Sequence, residues 1–135
     1  MRALTDAAHM EFVEATSALT ARLAAGNDDL AAAGAICLAV EAWKHLAGED
    51  TAWDRFGLEI LNVRSTFYTH YDDVVVDTTV PTTASTHIRD AVRELVSQLA
   101  RYHDHRALDA DSALSERLDH DAAAQQLRRA VAALA

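Results

Sequence analysis

Residues 53–70, WDRFGLEILNVRSTFYTH, decide the fold. Trp53, Phe56, Ile60, Val63, Phe67 and His70 recur in steps of 3, 4, 3, 4 and 3. Side chains three and four apart share one face of a helix, so this alternation is the core stripe of a helix packed in a bundle. Upstream, Thr51 to Asp54 has the spacing of a capping box, with aspartate in place of glutamate. The pattern predicts a helix from Thr51 to Asp72 or Asp73 that holds most of the aromatic residues and forms the main core element.

On the N-terminal side, Gly48 ends a run that is apolar on two faces. One face carries Leu30, Gly34, Cys37 and Val40, the other Ala32, Ile36, Ala39, Trp43 and Leu46. A helix apolar on both sides is buried nearly all round. The helix over 28–47 is therefore expected at the centre, or at an interface with a partner, and its alanines permit close approach. Asn27 or Asp28 supplies its cap. Before it, Ala8, Phe12, Ala15, Leu19 and Leu23 mark a helix over 5–25, capped by Thr5 and stopped by Gly26.

On the C-terminal side, 74–85 interrupts the helical pattern. Val74, Val75 and Val76 are β-branched, and four threonines surround Pro81, a composition that disfavours helix. This reads as a loop; a lone strand there could pair only with a second copy of the chain. A fourth helix follows from Ser85 or Thr86 to about Arg106, on the stripe Ile88, Val92, Leu95, Leu99 and Tyr102. A fifth spans 112–133, with a possible break near His120. The expected fold is all-α: an up-and-down antiparallel bundle of four long helices plus a fifth C-terminal helix. No repeat and no low-complexity linker divides the 135 residues, so a single domain is expected over 1–135.

Composition narrows the function classes. The chain holds 21 acidic and 12 basic residues, a net charge of −9 with histidine neutral. It has no basic stripe for nucleic acid and no cationic face for anionic membranes, so neither partner is expected. The longest uncharged run, 30–40, is short of the ~20 residues needed to span a bilayer. Residues 1–6 lack the apolar core of a signal peptide, so a cytoplasmic location is expected. Arginine takes eleven of the twelve basic positions, a bias of high-GC bacterial genes. The lone Cys37 lies in an apolar run and reads as a small buried hydrophobe.

Candidate chemistry comes down to seven histidines. There is no glycine-rich phosphate loop, no CxxC, no HExxH, no GxSxG and no paired ExxH. If helix directions alternate strictly, one end of the bundle gathers His9, Glu11, Glu41, His45, His103 and His105, with His120 further in; His9, Glu41, His45 and His103 are the candidate metal set, because Glu41 and His45 share a face. His103 and His105 point about 200° apart and cannot chelate together. The other end gathers His70, His87 and Tyr71. His70 continues the core stripe, and Tyr68, Tyr71 and Tyr102 could line a small cleft with it. The leading expectation is a protein-interaction or self-associating module, a homodimer, without catalytic activity and without a cofactor. The alternatives are a small-molecule-binding bundle with a pocket at His70, and a metal-dependent enzyme.

Overall fold

The structure is a computed structural model that describes residues 2–26, 28–48, 50–69, 78–81 and 85–135, with side chains from residue 10 onward. Five helices follow one another: α1 (Arg2–Ala25), α2 (Asp29–Leu46), α3 (Thr51–Phe67), α4 (Thr86–Ala107) and α5 (Leu114–Ala133). The described residues contain no strand, and the helices pack on one another as a bundle. Residues 78–81 carry neither helix nor strand; the rest of the valine–threonine stretch lies mostly outside the described residues.

The helix starts follow from local hydrogen bonding. Asp28 caps α2 by accepting the backbone N–H of Ala31 at 2.9 Å. Ser85 caps α4 through Ile88 N–H. The cap of α3 is Asp50, not Thr51: its carboxylate accepts from Ala52 and Trp53 N–H. One carboxylate oxygen of Asp50 satisfies two orphan donors at once, which the Thr51–Asp54 box would have to share between two side chains. Gly48, at φ 93°, reverses the chain between α2 and α3 in a conformation that favours glycine.

Trp53, Phe56, Ile60 and Val63 are fully buried, as the 3,4 spacing requires. The stripe stops there. α3 ends at Phe67, which is half-buried, with Tyr68 as its C-cap. Its last turn holds Ser65 and Thr66, whose hydroxyls bond back to Asn62 C=O. Such back-bonding competes with helix continuation. His70, expected to continue this stripe, lies outside the described residues.

α2 is the central helix. Eleven of its residues, from Ala31 to Leu46, are buried, and it packs against α1, α3 and α4. Cys37 is half-buried. Apart from Leu30, which is 62% exposed, and half-buried Cys37 and Trp43, the two apolar faces that suggested a partner interface are covered within the chain. On the α3 side the approach is close: a Cβ on Gly57 would overlap the indole of Trp43.

The helix directions differ from strict alternation at one connection. Arg89, near the start of α4, pairs with Asp50 at the start of α3 at 2.7 Å. Tyr68, at the end of α3, bonds His103 near the end of α4. α3 and α4 therefore run the same way, and the 68–85 connection carries the chain from one end of the bundle to the other. Their packing partners reconcile this with antiparallel neighbours. α5 lies against both α3 and α4, and α2 lies against both on the opposite side. The four-helix body is α2, α3, α5 and α4 in ring order, each antiparallel to its neighbours, and α1 packs outside α2 and α4. α5 completes the four-helix body, and α1 is the helix packed beside it. α5 supplies Ala123, Ala124, Leu127, Ala130 and Leu134 to the core and is unbroken at His120.

Candidate functional site

With α3 and α4 parallel, the starts of α2 and α5 and the ends of α1, α3 and α4 share one pole. A cleft of about 330 Å³ opens there. Asp29 lines it from α2, Phe67 and Tyr68 from the end of α3, Tyr102, His103 and Arg106 from α4, and Glu116, Asp119 and His120 from α5.

Its floor is a chain of hydrogen bonds. The Tyr68 hydroxyl lies 2.8 Å from His103 Nε2. His103 Nδ1 lies 2.9 Å from His120 Nδ1. His103 is 1% exposed, so both of its ring nitrogens are satisfied inside the protein. Rings hold the chain in place. Phe67 stacks on His120 at 4.6 Å between centroids, and Tyr102 meets His103 edge-on at 5.1 Å. Beside the chain, the Tyr102 hydroxyl donates to Asp29 Oδ1 at 2.5 Å and ties the end of α4 to the start of α2.

A short contact between two imidazole nitrogens has one proton between them, so one ring donates and the other accepts. Two arrangements satisfy the chain. In one, Tyr68 donates to His103 Nε2, His103 Nδ1 donates to His120 Nδ1, and His120 carries its own proton on Nε2. In the other, every donor becomes an acceptor, and His120 Nε2 presents a lone pair. His120 Nε2 has no partner among the described residues. A proton given or taken there leaves the chain with one unit of charge unless the Tyr68 hydroxyl exchanges one at the far end.

The electrostatics favour neutral rings. Burial pushes the His103 pKa down to about 3, with His120 and then Arg106 adding to the effect. His120 is also lowered, by burial first and then by Arg106, against the opposing pull of Glu116, Asp119 and Asp29. Near neutral pH both imidazoles are uncharged, the form suited to proton relay and hydrogen bonding.

The sequence-derived metal set is not brought together. His103 lies at the pole of Asp29, the first residue of α2, whereas Glu41 and His45 lie in its last turns. Asp29 and His45 are 16 residues apart, about 24 Å along a helix. Glu41 instead pairs with Lys44, and exposed His45 contacts its own helix through Glu41 C=O. The side chain of His9 lies outside the described residues. No group of three or more His, Cys, Asp or Glu among the described residues is placed to hold a metal ion.

The expected pocket of His70, His87 and Tyr71 is only partly placed. His70 and Tyr71 lie outside the described residues. His87 is exposed at the start of α4, beside Met10, Val13 and Glu14, at the opposite end from the cleft. Tyr68 and Tyr102 do line one cleft, with His103 and His120 between them. Sequence reasoning did not single out Asp29, Arg106, Glu116 or Asp119 as site residues, and it placed His120 at the same end as His103, further in. The available signal was the length of the 68–85 connection, which frees α4 from running back along α3. Searches of family models, curated proteins and solved structures find no match to this chain, so the site is read from its own geometry.

Proposed function

We propose that this protein is a small-molecule-binding helical bundle whose ligand sits in the cleft between the ends of α3 and α4 and the starts of α2 and α5. The observation that carries this reading is the buried Tyr68–His103–His120 chain ending at an open cleft. A histidine packed only for stability has no need of a second histidine at 2.9 Å whose outer nitrogen lacks a partner among the described residues. A concave site with a few convergent polar groups and shifted titrations is the usual form of a ligand site. The arrangement suits binding with proton transfer through His120, so an acid–base reaction on the bound molecule is within its chemistry.

A fragment library added to protein labelled with 15N at histidine tests this. Fragments that shift the ring signals of His103 and His120 support the reading. A library that shifts neither ring, or only His45, His87 and His105, contradicts it.

Self-association remains a second reading on one observation. Leu108, Leu114 and Leu118 are 75%, 67% and 60% exposed around the α4–α5 turn. Apolar side chains grouped in this way support a homodimer contact. Light scattering over a dilution series decides it: a dimer lost on Leu114→Glu supports the reading, and a monomer at all concentrations removes it. We take the chain as a cytoplasmic bacterial protein on its composition. Among the described residues no helix is long and apolar enough to cross a membrane.

A further inference from the structure

Arg106 is the unexplained charge in the cleft. It lines the wall beside Tyr102 and His103, and its Nε is buried without a hydrogen-bond partner among the described residues. Among the described residues ion pairs form at Arg22, Arg89, Arg93, Arg128 and Arg129, and Arg106, like Arg55, Arg64, Arg101 and Arg117, is in none of them, although Glu116 and Asp119 line the same cleft. A buried guanidinium donor left unmatched is costly, and its planar fork fits a carboxylate in two parallel hydrogen bonds.

We propose that the cleft takes a small zwitterion, a molecule of the free amino acid type, with its carboxylate on Arg106 and its ammonium toward Asp29, Glu116 and Asp119. The inference rests on the small-molecule reading above and adds the chemistry of the ligand. A simple anion would meet Arg106 but face three carboxylates. A simple cation would meet the carboxylates and bring like charge beside the Arg106 guanidinium. A molecule carrying both charges a few ångströms apart satisfies both sets. His120 Nε2 faces neither set as a fixed charge, so it remains free to hydrogen-bond the ligand or exchange a proton with it. Phe67, Tyr68 and Tyr102 supply an aromatic wall for the body of the molecule.

The probes are the free amino acids, their decarboxylated amines and their N-acetyl derivatives, read by thermal shift and calorimetry. At least one free amino acid should raise Tm by several degrees at saturation, as a ligand selective for the folded state does. Its amine and its N-acetyl derivative should bind at least about 10-fold more weakly, since each lacks one of two charge-assisted contacts. Arg106→Gln should weaken the amino acid by a similar factor and leave the amine unchanged. Circular dichroism checks that the variant folds; Arg106→Lys, which keeps the charge and loses the fork, replaces it if it does not and should also bind more weakly. An amine or acetyl derivative that binds as tightly as the amino acid overturns the proposal, as does Arg106→Gln with undiminished affinity. If no free amino acid binds while other fragments shift the His103 and His120 rings, this inference falls and the cleft reading stands. If neither the amino acids nor any fragment binds, both fall.

Discussion

Lowering the pH from 7.5 to 4.5 should destabilise the fold by roughly 2.5 kcal/mol through His103 alone. In the unfolded chain this imidazole titrates at its ordinary 6.5; in the fold burial holds it near 3. Below 6.5 the unfolded chain takes up a proton that the folded protein refuses. Stability from this group is therefore complete above about 6.5 and falls as pH drops toward 3, by about 1.4 kcal/mol per pH unit. His120 is shifted in the same direction and steepens the loss. Its neighbours Glu116, Asp119 and Asp29 oppose the shift from α5 and α2, and Arg106 on α4 reinforces it. The carboxylates of Asp28 and Asp50 are held below their usual 3.8, so their contribution persists through this window and is lost only at lower pH. Against a total of about 5–15 kcal/mol for a domain, the loss is large. Urea unfolding followed by tryptophan fluorescence at pH 7.5, 6.0 and 4.5 measures it. His103→Gln, which retains hydrogen-bonding capacity and cannot titrate, should lose less than half as much over the same range. The reasoning is refuted if the wild-type protein changes by under about 0.5 kcal/mol, or if the variant follows the same curve.

Two substitutions probe the packing that supports the site. Gly57→Ala gains up to ~1 kcal/mol of helix propensity but drives a methyl into the Trp43 indole, an overpacking that costs about 1–3 kcal/mol. The net effect should be a lower urea midpoint; a more stable variant would show that α2 and α3 have room to spare. Tyr102→Phe removes the hydroxyl that donates to Asp29 and should cost about 1.5 kcal/mol, because the acceptor is a carboxylate. Unchanged stability would show that this link between α4 and α2 contributes nothing.

The bundle was legible because side-chain periodicity is a local property. Trp53, Phe56, Ile60 and Val63 announce a buried face wherever the helix ends up, and the alternation at 30–46 announces a helix with neighbours on several sides. Helix ends are less legible. Asp50 and Thr51 are both good caps, and only the three-dimensional path of the chain decides between them. Direction was the consequential misreading. Strict alternation puts His103 with His45 and Glu41, and His120 further in; the structure keeps His120 beside it and sets Tyr68 and Asp29 in place of the other two. The 18 residues of 68–85, at up to ~3.3 Å each, can easily run the ~25 Å length of α3. Length alone permits either course, and packing of α5 between α3 and α4 selects one. The meeting of His103 with His120 depends on the register of two helices across the α4–α5 turn. No spacing within either helix encodes that register, so Arg106 and the carboxylates around it could not be grouped in advance.

The account depends on one contact, between Nδ1 of His103 and Nδ1 of His120. A long-range 1H–15N spectrum of histidine-labelled protein at pH 7 observes it directly. Two neutral rings with a scalar coupling between these two nitrogens, carried across the hydrogen bond and lost in His120→Gln, is the predicted result. Two uncoupled rings that each protonate near the ordinary histidine pKa would contradict it.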